Sequence, residues 1–158
     1  VAVNAMGAAT MGESEHFWAA PFELDDEFGG LGMADLPSSE CHRVRLKYQD
    51  RQAEGTQTTV AVIATDAKLD KDQCKRLAIA AHDGFARALW PVHTPLDGDL
   101  IFSLATGGSE VVPGLLEQIE LSAVAASTMS RAIARAIYCA TPTDGDLLPS
   151  WAKAFNRD

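Results

Sequence analysis

Two short apolar segments restrict the fold of this chain more than any other feature of its sequence. The first, TTVAVIATD at 58–66, is rich in β-branched residues, and the second, LIFSLATGG at 100–108, is closed by glycines. Both are typical of strands buried in a sheet, because they are short, apolar and bounded by turn residues. They predict a sheet whose faces must be covered by other elements.

Helical patterns follow both segments. Asp70 and Gln73 have the spacing of a capping box, and an apolar stripe at intervals of three and four continues from there to Trp90-Pro91, where proline ends the helical pattern. A second, Ala-rich helix is predicted from Leu115 to about Cys139. The order strand, helix, strand, helix predicts layered packing of the α/β (α+β) class.

The two parts of the chain differ in charge and texture. Residues 1–57 carry 4 basic and 10 acidic side chains, whereas residues 58–158 carry 9 and 12. The first part opens with a strand-like run at 1–6, continues through a glycine-rich loop region, and ends in a polar stretch at 35–56 that predicts a mobile connecting segment. We therefore place the main boundary of the chain between residues 57 and 58.

The overall charge excludes several classes of function. A net charge of -9 and the absence of any basic run argue against a nucleic-acid groove or binding to an anionic membrane surface. No apolar stretch reaches the length of a membrane span. Cysteines at 41, 74 and 139 form no CxxC pair and are odd in number, which favours a reduced, cytoplasmic protein. The opening VAVNAMG lacks an initiator Met, so we expect sequence upstream of it.

The first place where the sequence suggests chemistry is Gln57-Thr58-Thr59, directly before the first strand. Threonine at the start of a strand is usually only a good β-former. The functional alternative is a threonine that becomes an N-terminus after cleavage. Its own amine, with a reference pKa of about 7.7 to 8.0, then serves as the general base that a threonine hydroxyl otherwise lacks.

The second place is the segment HTPLDGD at 93–99, directly before the second strand. Asp97 and Asp99 flank a glycine and are candidates for an electrostatic and acid/base pair. The same residues also suit a tight turn. A metal site would recruit His82, Asp83 and His93, but their spacing lacks a recognised ligand pattern.

The third is Asn4 in the opening segment. A side-chain amide can donate a hydrogen bond to a developing oxyanion. An isolated asparagine is also common at strand edges and turns, so Asn4 by itself leaves both interpretations open.

Several motifs together resemble one family. VNAMG, FWAAPFE, EFGG, TTVAVIATDA, LAIAAHDGFARA, PVHTPLDGD and FSLATG follow one another over most of residues 1 to 110. In this order they are similar to the self-processing DmpA-type hydrolases, which include L-aminopeptidase/D-esterases, β-peptidyl aminopeptidases and nylon-oligomer hydrolases. Several motifs at consistent spacing are far harder to meet by chance than one short pattern.

The resemblance implies specific roles. Family members cut their own chain before a Ser or Thr, so the scissile bond maps onto Gln57-Thr58 and the nucleophile onto Thr58. The oxyanion donor maps onto Asn4, and the pair after the HT motif maps onto Asp97 and Asp99. The implied activity is amide hydrolysis through an acyl-enzyme, on peptides, β-peptides or nylon-type oligoamides, without a metal or organic cofactor.

The resemblance also implies an architecture. The family fold is a four-layer αββα sandwich, shared with the ornithine acetyltransferases, and its αβ units form tetramers. Residues 1–57 then correspond to the end of the larger α piece and residues 58–158 to the β piece. Both belong to one structural domain together with upstream sequence, which holds pocket residues that cannot be located here.

One departure from the family and two rival functions remain. Relatives often carry Asn or Gly before the cut, whereas this chain has Gln57, whose longer side chain is expected to affect the speed of cleavage. The enzymatic rival is acyl transfer of the ornithine acetyltransferase type. The non-enzymatic rival is an uncleaved, inactive relative that serves only as an assembly subunit.

Overall fold

The computed structural model describes residues 1–41, 43–47 and 57–157. Its two strands are parallel, and each is followed by a long helix; the first of these helices packs on the sheet, and the second packs on the first. In chain order the elements are a 3-10 turn at Ala20–Phe22, α1 at Ser38–Cys41, β1 at Val60–Thr65, α2 at Lys71–Ala86, β2 at Leu100–Ala105, α3 at Leu115–Tyr138 and α4 at Trp151–Ala154. The mixed α/β class predicted from the alternating pattern is confirmed.

The predicted strands and helices lie close to their expected positions. Asp70 accepts from the backbone N–H of Gln73 and the Gln73 side chain accepts from the N–H of Asp70, so the capping box forms as predicted. Helix α2 ends at Ala86, earlier than the apolar stripe suggested. Ala88 and Leu89 are nevertheless buried, because the turn after the helix continues to cover the core.

The core lies between one face of the sheet and the two long helices. Ala61, Ile63 and Ile101 point from the strands towards the buried side chains of α2 and α3. Gly84 allows the helices to approach closely, since a Cβ at this position would lie 2.4 Å from the carbonyl oxygen of Ala126. The two long helices are thus closely packed against each other.

The other face of the sheet is apolar and exposed. Val60, Val62, Leu100, Phe102 and Leu104 alternate with the buried strand residues, and each is at least 40% exposed. Parallel sheets normally have both faces covered. This face therefore has the composition of an interior surface.

The opening segment differs from the prediction. Residues 1–6 were expected to form a strand, but only Ala2 forms a β-bridge, antiparallel to Val60. The pairing extends as far as Thr58, whose N–H donates to the Asn4 carbonyl oxygen at 3.0 Å. It ends there because the N–H of Met6 donates instead to the side chain of Asp97.

The loop-rich first part packs more tightly than its composition suggested. Phe17 is fully buried and stacks on Trp151 of α4, with 5.6 Å between ring centroids, in a tail predicted to be irregular. Of the predicted connecting segment, residues 38–41 form α1, while residues 42 and 48–56 lie outside the described residues. None of the helices in the described part of the chain is long and apolar enough to cross a bilayer.

Candidate active site

The candidate residues converge at the amino ends of the two parallel strands. Strand register pairs Val60 with Leu100, and a parallel bridge between Gln57 and Asp97 continues the same register three residues earlier. Residues immediately before one strand must therefore lie beside those immediately before the other. This register brings the Gln57-Thr58 bond next to the Asp-Gly-Asp segment.

The carbonyl group of Gln57 accepts two hydrogen bonds in the site. Its oxygen accepts from the backbone N–H of Gly98 at 2.8 Å and from the Thr58 hydroxyl at 2.6 Å. A Cβ on Gly98 would lie 2.9 Å from Thr58 Oγ1, so the missing side chain leaves room for this hydroxyl. A larger residue at position 98 would thus require the Thr58 side chain or the backbone to move.

The two adjacent threonines have different environments. Thr59 is fully buried, and its hydroxyl has no hydrogen-bond partner among the described residues. Thr58 is partly exposed and its hydroxyl is engaged at the Gln57 carbonyl. Thr59 therefore points into the core, and Thr58 is the threonine that a substrate can reach.

Asp97 accepts hydrogen bonds from two segments of the chain. Its Oδ1 accepts from the N–H of Met6 at 3.0 Å, and its Oδ2 accepts from both the N–H and the hydroxyl of Thr94. These contacts attach the opening segment to the loop before β2. Asp97 is therefore beside the Gln57-Thr58 bond but is held by these neighbours.

Asp99 is a buried carboxylate with partners on both oxygens. Its side chain is only 3% exposed; Oδ1 accepts from the N–H of Thr59 at 3.0 Å, and Oδ2 lies 2.7 Å from Nδ1 of His93. A carboxylate with this little solvent contact is stabilised by such hydrogen-bond partners. Asp99 thus contacts Thr59, the neighbour of Thr58, with one oxygen and His93 with the other.

His93 is positioned by its backbone and by aromatic neighbours. Its φ of 50° is in the left-handed region, unusual for a residue other than glycine. The ring stacks on Phe85 of α2 at 5.7 Å and lies 5.1 Å from the ring of His82. Burial, reinforced by the positive charge of a protonated His93, lowers the pKa of His82, against the opposing influence of Asp99 and Asp83.

Asn4 is exposed and is held by a lysine. Lys47 Nζ donates to the Asn4 side-chain oxygen at 2.6 Å, while the backbone N–H of Lys47 donates to the carbonyl oxygen of Met6. Burial lowers the pKa of the Lys47 ammonium. The backbone of Asn4 thus contacts Thr58, and its carboxamide is oriented by Lys47.

The alternative metal site does not assemble from its candidate residues. Within the described ranges, no group of three His, Cys, Asp or Glu side chains is arranged to hold a metal ion. His93, one of the three residues considered as ligands, directs its Nδ1 at Asp99 instead. The three cysteines are free thiols far apart in the sequence.

Two residues of the site, His93 and Lys47, make contacts that the sequence alone does not predict. His93 was considered only as a metal ligand, although its spacing of six residues from Asp99 within one loop is a usable signal for a contact. Lys47 carried no signal, because its segment has no periodicity and its partners Asn4 and Met6 lie more than forty residues away.

A cavity of about 920 Å³ lies beside the site. Val3, Ala5 and Lys47 line it on the side of the opening segment, and Trp151 and Phe155 line it on the side of the carboxyl-terminal tail. Lys47 therefore lies between this cavity and Asn4.

Comparison with known proteins matches most of the chain to one family. The model of peptidase family S58 matches residues 25–147. An uncharacterized aminopeptidase of Mycobacterium tuberculosis (strain H37Rv) is 43% identical over 108 residues, covering 62% of this chain and 31% of that protein. An uncharacterized aminopeptidase of Mycobacterium leprae is 40% identical over 110 residues, covering 62% of this chain and 29% of that protein. The chain thus aligns with less than a third of the length of these relatives.

Proposed function

Because this chain belongs to peptidase family S58, the family of DmpA-type aminopeptidases, we propose that it is a self-cleaving threonine amide hydrolase with Thr58 as its nucleophile. The proposal depends above all on one observation. The Thr58 hydroxyl lies against the carbonyl of the preceding residue, and that carbonyl oxygen also accepts from a backbone N–H. A nucleophile and an oxyanion donor therefore meet at a single peptide bond.

The first reaction is cleavage of the Gln57-Thr58 bond. Thr58 Oγ attacks the Gln57 carbonyl carbon, the C–N bond breaks, and the released nitrogen takes up a proton to become an amine. The resulting ester between Gln57 and Thr58 is opened by water, leaving a carboxylate and a free N-terminal threonine. The N–H of Gly98, at 2.8 Å, is within the range of an oxyanion donor for this step.

The second reaction uses the new amine. It accepts the proton from Thr58 Oγ as that oxygen attacks a substrate amide, and it returns the proton to the leaving amine. Water then hydrolyses the acyl-enzyme ester. The backbone nitrogen of Thr58 donates to the Asn4 carbonyl oxygen in the continuous chain, so this acceptor is in place to orient the amine.

We propose supporting roles for the carboxylates and for Asn4. Asp99 provides negative charge that stabilises the positive charge which the amine acquires as it takes the proton from Thr58 Oγ, while Asp97 fixes the loop that carries Gly98. The carboxamide of Asn4 donates to the substrate oxyanion. No step requires a metal or an organic cofactor.

The exposed sheet face supports the larger architecture that we propose. A bare face containing Val62, Phe102 and Leu104 is suited to pack against a second sheet, as in a four-layer αββα sandwich. We further propose that residues 1–57 belong to the α piece and 58–158 to the β piece, that the αβ units form homo-oligomers such as tetramers, and that the protein is cytoplasmic, in line with its free cysteines. The substrate is a peptide, a β-peptide or a nylon-type oligoamide.

The mass of the purified protein, expressed with any native flanking sequence, tests the proposal directly. We expect two pieces, the smaller of which begins with TTVAVIATD. A single uncleaved mass together with no amide turnover would contradict the proposal and favour an assembly subunit.

A product assay then separates hydrolysis from acyl transfer. A peptide amide is incubated with and without an amine acceptor. The free acid should form at the same rate in both reactions. Accumulation of the acylated acceptor in place of the acid would identify an acyltransferase of the ornithine acetyltransferase type.

A further inference from the structure

Lys47 is an unexpected cation in the candidate site. Its Nζ lies 2.6 Å from the Asn4 side-chain oxygen, and burial lowers the pKa of its ammonium. A lysine that loses hydration in this way is unfavourable for folding unless its charge or its hydrogen bonds are used. The question is therefore what the contact with Asn4 achieves.

Anchoring of the backbone does not require this side chain. The N–H of Lys47 already donates to the carbonyl oxygen of Met6 at 2.8 Å, and a β-bridge joins Leu46 to Gly7. These backbone contacts attach residues 43–47 to the opening segment. The ammonium therefore acts on the side chain of Asn4 in addition to this attachment.

The contact determines which way the carboxamide faces. A lysine ammonium has only donors, whereas a carboxamide has an oxygen acceptor on one side and an NH₂ donor on the other. Lys47 can be satisfied only by the oxygen, so the NH₂ group must be on the side away from the lysine. The reverse orientation would place two sets of donors against each other.

We propose that Lys47 is a positioning residue for catalysis, which holds the Asn4 carboxamide with its NH₂ group available to the oxyanion. The inference rests on the proposed function, because it assumes that Asn4 serves the reaction at Thr58. The oxygen of Asn4 is occupied by Lys47, and the polarised amide becomes a better donor. Lys47 acts through Asn4 and does not itself exchange protons with the substrate.

The test is a double-mutant cycle in protein that includes any native flanking sequence. The variants are Lys47→Met, Asn4→Ala and the combination of both, and an aminoacyl p-nitroanilide serves as the probe substrate. Loss of an oxyanion donor typically reduces kcat by about 10²- to 10³-fold. We expect Lys47→Met to lower kcat by about 10- to 100-fold with KM within about twofold. The double variant should be no slower than Asn4→Ala alone, since Lys47 acts through Asn4.

Two further variants distinguish positioning from a structural role. Lys47→Arg retains a cation with donors only and should restore most of kcat. Arg45→Met removes a neighbouring cation that pairs with Glu13 at 3.6 Å, and it should behave like the wild type. If Lys47→Met fails to fold, Lys47→Leu, which likewise has no donor for the Asn4 oxygen, provides the same measurement; failure of both to fold would show that the side chain is structural and overturn the proposal.

The outcomes separate this inference from the proposed function. If the wild type neither cleaves itself nor hydrolyses the probe, the function of the site is wrong. If the wild type is active but Lys47→Met retains its kcat, or if the two losses multiply in the double variant, only the role of Lys47 is overturned.

Discussion

The two ends of the parallel sheet are built from similar residues but are organised differently. At the carboxyl ends, Thr65 Oγ1 accepts a local bond from the N–H of Ala67, and Lys68 pairs with Glu110, whose side chain is 94% exposed. At the amino ends, the side chain of Asp99 is 3% exposed and has one partner in its own loop, His93, and one beside the other strand, Thr59. Polar groups at the carboxyl ends of the strands face solvent, while those at the amino ends form hydrogen bonds with one another.

This difference runs against the usual location of sites in parallel sheets. In open α/β sheets, ligands generally bind outside the carboxyl ends of the strands. A nucleophile that must also be a chain terminus is better placed at an amino end, because the new amine then emerges at the start of the strand. The position of the candidate site follows from the chemistry proposed for Thr58.

The largest expected effect separates two threonines at opposite ends of β1. Thr58→Ala should abolish both self-cleavage and amide hydrolysis, because one oxygen serves both reactions. Thr65→Ala should retain both, since its hydroxyl accepts a local hydrogen bond from the N–H of Ala67 at the other end of the strand. Mass spectrometry measures cleavage, and release of p-nitroaniline measures hydrolysis.

The amide hydrolysis that remains in Thr58→Ala protein decides whether Thr58 is the nucleophile. Thr58→Ala protein that still hydrolysed an amide would place the nucleophile elsewhere. Thr59→Val is a further control, because it removes a buried hydroxyl without a partner among the described residues, and it should leave the reaction nearly unchanged.

The second prediction compares carboxylates at the two ends. Asp99→Asn and Asp97→Asn should each lower kcat by about tenfold or more, within the general range for groups that support acid/base chemistry. Asp66→Asn, at the carboxyl end of β1, should keep wild-type kcat. Steady-state kinetics across pH provides the measurement, and unchanged pH–rate profiles in both amino-end variants would reduce the Asp-Gly-Asp segment to a turn.

A smaller effect concerns residue 57 alone. Gln57 is 6% exposed, and its side-chain oxygen has no hydrogen-bond partner among the described residues. Gln57→Asn shortens this side chain and should speed self-cleavage by up to about tenfold, since displacements near 1 Å can change rates on the order of a hundredfold. Turnover of cleaved enzyme should stay nearly constant.

A time course of precursor mass, followed by kinetics on the cleaved fraction, tests this expectation. Equal rates of cleavage for Gln and Asn would make the departure from the family pattern neutral. A large change in turnover per cleaved site would mean that residue 57 remains part of the mature active site.

The smallest expected effect is a pH dependence of the free energy of unfolding that comes from His82, near the amino ends of the strands. Burial lowers the pKa of His82 in the folded protein below the reference value of 6.5. The unfolded chain therefore binds more protons over the interval below 6.5, so the free energy of unfolding should increase as pH rises through that interval and level off above it. His82→Gln should reduce this slope in urea titrations between pH 5 and 7. An unaltered slope would assign the dependence to other groups.

The sequence was sufficient where local patterns determine structure. The capping box at Asp70 and the two apolar strands were predictable from composition and spacing. The proximity of Thr58 to Asp99 also follows from the pattern, because each precedes a strand and the strands are parallel.

The contacts that could not be predicted are nonlocal or depend on unusual backbone geometry. Lys47 reaches Asn4 across 43 positions, through a segment without periodicity. His93 meets Asp99 at a positive φ, a backbone conformation that is uncommon outside glycine and that the sequence pattern does not indicate. The strand expected at 1–6 was reduced to the bridge at Ala2, since a carboxylate from another loop takes the N–H of Met6.

The close approach of Gly98 to Thr58 also limits the evolutionary paths open to this chain. Any point mutation that replaces the glycine adds at least one carbon, and that carbon would lie 2.9 Å from the hydroxyl of Thr58. A larger residue at 98 is therefore accessible only if the Thr58 side chain rotates away from the Gln57 carbonyl, the backbone shifts, or residue 58 loses its hydroxyl. The first change disturbs the proposed nucleophile, and the last removes it. Residues 58 and 98 therefore each limit the substitutions that the other can accept. Adaptation to new substrates is then expected to change other residues of the pocket.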